Sequence, residues 1–157
     1  MKYPVTRAIH ALRAANVEFT PRIYTYVEKG GTSASSEALG VDEHEVIKTL
    51  IFENENKSPL VVLMHGDKQV STKQLAREAD CKRVSPCVPA VANRHSGYQV
   101  GGTSPFGTKK KMPVFMERTI LDLERIFING GSRGFLIEID PKATTTVLNP
   151  TLVSVGI

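Results

Sequence analysis

At 157 residues, with 41% hydrophobic and 23% charged residues, the chain has the size and composition of one globular domain, which we assign to residues 1–157. No apolar run reaches the roughly 18 residues that a membrane-spanning helix needs, and the N-terminus lacks the apolar segment of a secretory signal. The two cysteines, Cys81 and Cys87, form no CxxC pair. We therefore expect a cytoplasmic protein without a membrane partner, a metal site or a cofactor.

Positive charge is concentrated in the middle of the chain. Residues 66–111 contain nine Lys or Arg and three acidic residues, a net charge of +6, whereas the remainder has eleven basic and thirteen acidic residues, a net charge of −2. This asymmetry predicts a surface for a polyanion, and the alternative is a solvated lysine-rich face. Because no RRM, KH or zinc-finger signature is present, we expect no sequence-specific reading of bases and no DNA partner.

The N-terminal half of the chain predicts short helices around one β-hairpin. Thr6 can cap a helix, Gly40 can end one, and Asp42 and Glu45 have the spacing of a capping box. Two apolar runs flank a polar connection at 54–58, which predicts a hairpin. The predicted elements are a helix from Thr6 to about Ala15, a strand at 17–27, a helix at 33–39, a helical turn after Asp42, and strands at 47–53 and 60–64.

The C-terminal half continues the same mixture. The predicted elements are a helix from Ser71 or Thr72, a helix at 87–95, strands at 98–100 and 112–116, a helix at 120–123, strands at 126–128 and 135–139, a helix from Asp140, and a strand at 151–155. Proline at position 141 suits the first turn of a helix. Hairpins mixed with short helices favour an α+β fold over a doubly wound sheet.

Lys48 is the first candidate functional residue. It lies in the strand pattern Val46-Ile47-Lys48-Thr49-Leu50, where alternation places it on the same face as Val46 and Leu50. A lysine on an apolar strand face needs a negative partner or a wet cleft. Such a lysine can hold a phosphate or polarise an ester carbonyl, and partial burial would lower its pKa. The alternative is a solvated lysine.

Three glycine-rich segments accompany this lysine, at 101–107, at 129–134 and at the 30–31 turn. Glycine lets main-chain N–H groups approach a ligand without a side chain in the way. Each segment alone is also typical of an ordinary turn. Together, the first two segments favour a cradle of amides for a phosphate or an oxyanion.

Nucleophile and metal-ligand patterns are weak in this sequence. Ser104 lacks the GxSxG elbow, and the histidines form no cluster in sequence. His10 and His44 are expected at the surface, His65 in a turn, and His95 beside the basic segment. An enzyme with these residues would position a substrate that supplies its own nucleophile.

The segments 46–50, 94–107 and 129–134 resemble three ordered motifs of the YbaK/EbsC family, the free-standing trans-editing relatives of the prolyl-tRNA synthetase insertion domain. The resemblance covers about residues 6–155. It implies a single α+β domain with a mixed, mostly antiparallel sheet or barrel-like core surrounded by helices. It also implies a deacylase that removes a wrong amino acid from tRNA, typically cysteine from tRNA(Pro), with prolyl-tRNA synthetase as a possible partner.

The same resemblance implies roles for individual residues. Lys48 falls on the essential lysine, and Gly101 on the glycine of a GxxxP loop that ends at Pro105. Amides near Gly101 and Gly131 are expected to stabilise the oxyanion, so Lys48, Gly101 and Gly131 are the expected catalytic residues. Tyr26 matches a pocket tyrosine, with Tyr24 as the competing alignment. The residues expected to bind substrate are Tyr26, Thr49, Gly102, Ser104, Pro105, Asn129, Gly130 and Arg133.

Two positions depart from the cysteine-specific branch of that family. Asn129 stands where that branch usually has serine, and Leu136 where it usually has aspartate. A deacylase for alanine, serine or threonine is therefore an alternative. Two further alternatives are a non-catalytic module that binds tRNA ends or nucleotides, and a domain that docks on a synthetase.

Overall fold

The computed structural model describes residues 2–157 and has an α+β architecture, which confirms the predicted fold class. The helices are α1 (Arg7–Ala14), α2 (Gly31–Leu39), α3 (Thr72–Glu78), α4 (Pro89–Ser96) and α5 (Pro141–Leu148), with 3₁₀ turns at Glu43–Glu45 and Arg118–Asp122. The strands are β1 (Thr20–Ile23), β2 (Val46–Asn54), β3 (Pro59–His65), β4 (Val84–Pro86), β5 (Val114–Glu117), β6 (Ile126–Ser132), β7 (Phe135–Ile139) and β8 (Thr151–Val153).

All eight strands belong to one mixed sheet. Its order is β1-β7-β6-β2-β3-β5-β8, and β4 pairs with the far end of β2. The pairs β1–β7, β6–β7, β2–β3 and β2–β4 are antiparallel, whereas β2–β6, β3–β5 and β5–β8 are parallel. The strand β2 is therefore the central element, and it brings β6, from the last third of the chain, beside the first third.

Hydrophobic residues fill both faces of the sheet. Ile47 and Ile51 of β2 point into the larger cluster, together with Leu12 of α1. Phe52 points to the opposite face and packs with Leu75 of α3. This alternation follows from the two-residue period of a strand, and it explains why β2 and β3 are apolar on both sides.

Local capping signals explain most helix boundaries. The Thr6 side chain accepts from the Ile9 amide, and the Ser71 side chain accepts from the Gln74 amide. The helix α2 ends at Gly40 and α4 at Gly97, both with left-handed backbone angles. None of the helices in residues 2–157 is long and apolar enough to cross a bilayer.

Two predicted strands differ from the observed structure. The predicted strand at 98–100 was wrong, because the Gly102 amide donates to the Gln99 carbonyl and the Val100 amide donates to the Asn93 side chain, which makes this segment a turn. The strand predicted at 17–27 is shortened to β1, because the Val17 amide donates to the Leu12 carbonyl and completes the end of α1.

Candidate functional site

Lys48 lies near the start of β2, half-buried, on the same face as Val46. Its ammonium donates to the main-chain carbonyl of Lys68 instead of extending freely into solvent. Burial lowers the pKa of Lys48, and the nearby carboxylates of Glu43 and Asp67 act against that effect by raising it. The structure therefore contains a partly desolvated cation on the predicted strand face.

Asn129 joins the two long glycine segments. Its Nδ2 donates to the Gly101 carbonyl at 3.3 Å, while its Oδ1 accepts from the amides of Gly131 at 2.6 Å and Ser132 at 3.1 Å. A β-bulge between Asn129 and Ser132 turns the intervening glycines out of the ladder. The segments 101–107 and 129–134 are thus adjacent, although the sequence alone does not indicate how they meet.

Arg133 and Tyr26 form a second connection between the same segments. The Arg133 Nε donates to the Val100 carbonyl at 3.1 Å, and its guanidinium lies 5.2 Å from the centroid of the Tyr26 ring. Gly101 has a φ of +93°, and a Cβ atom on it would lie 2.5 Å from the Tyr26 hydroxyl. Glycine at position 101 is therefore required both by its backbone angle and by the close approach of Tyr26.

A cavity of about 250 Å³ lies between the two segments. Its lining residues are Gly97, Tyr98, Gln99, Gly102, Gly131, Ser132 and Arg133. The Tyr98 hydroxyl donates to the Phe106 carbonyl, and burial raises the pKa of Tyr98 to about 12, so this wall remains uncharged. A larger cleft of about 670 Å³, lined by residues of α1, β7 and the 17–20 and 124–125 loops, contains none of the predicted site residues.

Strand pairing connects Lys48 with these segments. Ile47 pairs with Ile128 in the parallel β2–β6 ladder, so Lys48 and Asn129 are the next residues on strands that are spaced by about 5 Å. Lys48 lies on the same face of the sheet as Val46, two residues before it on β2, and Asn129 lies on the same face as Phe127 on β6. Leu136 lies opposite Asn129 on β7. A single row of residues therefore runs from the lysine to the loops.

Main-chain donors in the loops differ in their availability. The Gly131 amide is engaged by Asn129, and the Gly102 amide donates to Gln99. Among residues 2–157, no hydrogen bond engages the Gly101 amide. The predicted donor role of Gly131 would therefore require its bond to Asn129 to break, whereas the Gly101 amide is available.

Several residues that we expected to bind substrate have other contacts. Thr49 points to the face of β2 opposite Lys48, and its buried hydroxyl has no partner in the described part of the chain. Ser104 is buried, and its hydroxyl accepts from the Phe106 amide; Pro105 is buried beside it. Gly130 packs against the Phe135 ring, which a Cβ atom would approach to 2.5 Å. Ser104, Pro105 and Gly130 thus pack within the protein, and substrate binding by these four residues stays a prediction.

Folding also assembles a group that sequence spacing did not reveal. His44, His65 and Asp67 each place a potential metal-ligand atom within 4.8 Å of the others. The two imidazole rings are stacked, with centroids 3.7 Å apart and planes 6° apart, so their in-plane lone pairs run parallel and do not converge on one ion. Both His65 nitrogens have protein partners, the His44 carbonyl and the Thr119 hydroxyl. This group is suited to hydrogen bonding.

His95 lies away from the candidate site. Its Nε2 is 2.8 Å from the Glu53 carboxylate, a partly buried pair that ties α4 to the far end of β2. In the structure, His95 therefore attaches α4 to β2 and does not line the cavity between the glycine segments.

The family follows from residues 28–146, which match the profile of the aminoacyl-tRNA editing domain. The chain belongs to that family. The editing domain is 29% identical to the "Putative Cys-tRNA(Pro)/Cys-tRNA(Cys) deacylase EbsC" of Enterococcus faecalis over 114 residues, which are 73% of this chain and 70% of that protein. It is 34% identical to the proline–tRNA ligase of Thermodesulfovibrio yellowstonii over 123 residues, 78% of this chain but 20% of the ligase.

A solved structure gives the same fold. A chain described as "a putative trans-editing enzyme for prolyl tRNA synthetase" matches the editing domain with a TM-score of 0.84 at 16% identity, covering 100% of this chain and 99% of that one. Together with the family match, this confirms the predicted relationship to the YbaK/EbsC family and the predicted fold. The family also supports the predicted class of activity, aminoacyl-tRNA editing.

Proposed function

We propose that this protein is a trans-editing deacylase that removes cysteine from tRNA(Pro). The observation that carries the proposal is the connection of two glycine segments by Asn129, beside the strand lysine Lys48. An ester carbonyl seated there would lie between a cation and a main-chain donor, an arrangement that stabilises a developing oxyanion. The names of two relatives, a Cys-tRNA deacylase and a trans-editing enzyme, support the same reaction class.

Each group has a role in this proposal. The Gly101 amide is the oxyanion donor, because it is free of other partners. Gly131 contributes through its backbone angle, a φ of +100°, which lets its amide turn back and donate to the Asn129 side chain. Lys48 holds the terminal adenosine's phosphate or the aminoacyl group, and Tyr26, braced by Arg133, forms a wall.

The chemical step uses the substrate's own thiol. The cysteinyl thiol gives its proton to water, and the resulting thiolate attacks the carbon of its own ester carbonyl. The bond from that carbon to the ribose oxygen breaks, and the ribose oxygen takes a proton back from water. The products are a cyclic thiolactone and free tRNA. Positioning and charge stabilisation supply the acceleration, so no protein nucleophile is needed.

A second group of substrates consists of alanyl, serinyl and threonyl esters. The observation that favours them is Leu136, a buried apolar residue opposite Asn129 on the row that leads from Lys48. An uncharged wall suits small side chains without a thiol as well as cysteine. In those substrates an ordered water or a ribose hydroxyl would attack the ester.

Basic side chains around the cavity would contact the acceptor stem. Arg133 is exposed at its wall, and Lys109 and Arg7 both lie close to Gly97, another wall residue. Such phosphate contacts bind without reading bases, and their strength falls as salt rises. Selectivity among tRNAs would then come from prolyl-tRNA synthetase as a partner in the cytoplasm.

The test is ester loss from tRNA(Pro) charged separately with labelled cysteine, alanine and serine. Wild-type protein is compared with Lys48→Ala and with Lys142→Ala, an exposed lysine of α5 outside the basic segment. We expect one of the esters to be cleaved faster than without enzyme, a loss of at least about 10²-fold in Lys48→Ala, and no change in Lys142→Ala.

The outcomes separate the alternatives. Cleavage of cysteinyl-tRNA with thiolactone release supports the proposed reaction, and cleavage of alanyl- or serinyl-tRNA alone supports the second group. Weaker tRNA binding in Lys48→Ala with no ester turnover at any enzyme concentration indicates a binding module. Wild-type deacylase activity in Lys48→Ala would rule out the proposed mechanism.

A further inference from the structure

Two neighbouring turns lie at the end of the sheet where the Lys48 ammonium is held. One is the 3₁₀ turn Glu43–Glu45, directly before β2, and the other is the 65–68 turn, directly after β3. The Lys68 amide donates to the His65 carbonyl and closes the 65–68 turn, while the Gly66 amide donates to the Val46 carbonyl. The carbonyl that receives the Lys48 ammonium belongs to this same turn.

Glu43 of the first turn and Asp67 of the second each have a hydrogen-bond partner for their carboxylate. Glu43 Oε2 accepts from the Thr32 hydroxyl at 2.7 Å, and Asp67 Oδ1 lies 2.9 Å from His44 Nδ1. The Thr32 hydroxyl is also 3.2 Å from the Gly66 carbonyl, so α2 is attached to both turns. A Cβ atom on Gly66 would lie 2.8 Å from the Glu43 carbonyl oxygen, which shows how closely the two turns approach.

Stacked imidazoles support the second carboxylate. The His44 ring, which binds Asp67, lies on the buried His65 ring, and His65 Nδ1 donates to the His44 carbonyl at 2.8 Å. The His44 carbonyl can only accept, so this nitrogen carries a proton, and burial lowers the pKa of His65, which favours the neutral ring. The position of Asp67 is therefore determined by contacts from both turns.

These carboxylates oppose the effect of burial on Lys48. Burial lowers the pKa of Lys48, whereas Glu43 and then Asp67 raise it. The side chain of Lys68 extends toward Gly156, away from Lys48. Lys68 therefore contacts Lys48 only through its main-chain carbonyl. The charged or titratable residues of the two turns are Glu43, His44, Glu45, His65, Asp67 and Lys68.

We propose that Glu43 and Asp67 are positioning residues that keep the Lys48 ammonium charged and in place beside the 65–68 turn. Neither carboxylate touches the substrate in this proposal. Each acts through the lysine and is in turn held by Thr32 or His44. The catalytic consequence rests on the proposed deacylase function, but the charge state of Lys48 can be measured without any substrate.

The experiment follows the Lys48 side chain by NMR in the intact protein after ¹³C-dimethylation of its lysines, with Lys48→Ala identifying the signal. The variants are Glu43→Gln, Asp67→Asn and their combination, each nearly isosteric. The matched control is Glu37→Gln, an exposed residue of α2 that makes no side-chain hydrogen bond among residues 2–157. The conservative variant Asp67→Glu keeps the charge.

We expect the Lys48 signal to titrate at lower pH in both single variants and lower still in the combination. Glu37→Gln should match the wild type, and Asp67→Glu should recover most of the shift. In the deacylation assay, each neutral variant should lose about two- to fivefold in kcat/KM, the size expected for a charge interaction screened by solvent. The alkaline limb of the activity profile should move to lower pH, because the ammonium form is lost earlier.

An unchanged Lys48 titration in the combined variant would overturn the proposal, and so would an equal shift in Glu37→Gln. Stoichiometric Zn²⁺ binding that is lost in both His44→Ala and Asp67→Asn would also overturn it, because the ion would then neutralise Asp67. A shifted titration in a protein whose wild type cleaves none of the esters would support the positioning pair while rejecting the deacylase function.

Discussion

Asn129 of β6 donates through its side-chain amide to the carbonyl of Gly101, a residue 28 positions earlier in the chain. The same side chain accepts two main-chain amides of its own hairpin, so its donor and acceptor ends connect two loops that have no ladder between them. The spacing of the two loops depends on this residue together with Arg133, and substitution of Asn129 separates the contribution of loop spacing from that of Lys48.

Replacing Asn129 should distinguish its two ends. Asn129→Ala removes all three hydrogen bonds and should reduce the free energy of unfolding by about 1–3 kcal/mol, since two partly buried amides lose their acceptor. Asn129→Asp keeps the acceptor for Gly131 and Ser132 but loses the donor to Gly101. It should therefore unfold at a urea concentration closer to the wild type while still losing deacylase activity. Equal stability of the alanine variant and the wild type would contradict this.

Gly101 and Gly31 provide a matched pair for backbone strain. Both have positive φ, +93° and +62°, but a Cβ atom at Gly101 would meet the Tyr26 hydroxyl, whereas one at Gly31 would meet nothing within 4 Å. Gly31→Ala should cost only the backbone strain of about 1–2 kcal/mol and leave activity intact. Gly101→Ala should in addition displace Tyr26 and abolish most deacylation.

The Tyr26→Phe background tests whether the contact with Tyr26 causes the effect of Gly101→Ala. Removing the hydroxyl relieves the closest contact at 2.5 Å but leaves ring atoms at 3.1 and 3.2 Å, so Gly101→Ala should regain part of its thermal stability in this background. No recovery would indicate that the backbone angle alone determines the effect.

Glu117 should be important for stability and neutral for catalysis. Its buried carboxylate accepts from the amides of Val155 at 2.8 Å and Gly156 at 3.0 Å, and so anchors the C-terminal segment beside β5. Glu117→Ala leaves both amides without their charged acceptor and should cost about 2–3 kcal/mol in chemical denaturation. The folded fraction should keep normal kcat/KM, and a selective loss of kcat/KM would contradict the separation of this anchor from the site.

Acidification should destabilise the protein through His65. Burial lowers the pKa of His65 below its ordinary value of 6.5, with a smaller lowering from His44 that is opposed by its hydrogen bond to the His44 carbonyl and by acidic neighbours. The unfolded chain therefore binds a proton first as pH falls through 6.5, and stability decreases from there down to the folded-state pKa. His65→Asn should flatten this part of the curve of unfolding free energy against pH, measured by urea denaturation. An unchanged slope would assign the acid sensitivity to other groups.

The sequence was sufficient to predict most of the elements and the face of Lys48, because alternation in β2 and the capping residues Thr6, Ser71 and Asp140 are local signals. It did not predict β4, and it predicted a strand at 98–100 that is absent. The sequence could not predict that the two glycine segments are adjacent, because their contact depends on the β2–β6 pairing and on a bulge after Asn129. We expected Asn129 to contact substrate because no local pattern indicates a side chain that bridges two loops.

The surroundings of Lys48 were hidden for a similar reason. Glu43 and Asp67 lie in separate turns, and His44 and His65 look unrelated in sequence, although Ile47 and His65 are directly paired in the β2–β3 ladder. The hairpin register could have indicated that residues just before β2 face those just after β3. His44 does lie at the surface, with a third of its side chain exposed, but its stacking on His65 is visible only in the three-dimensional fold.

The pairing of Val46 with Phe127 has a consequence for the time at which activity can begin. The lysine is synthesised in the first third of the chain and its neighbouring loop in the last third, so a ribosome-bound polypeptide holds the cation before it holds the hairpin that faces it. The proposed site is therefore incomplete until β6 has been synthesised and paired with β2, so a nascent chain that stops before residue 126 should not deacylate tRNA.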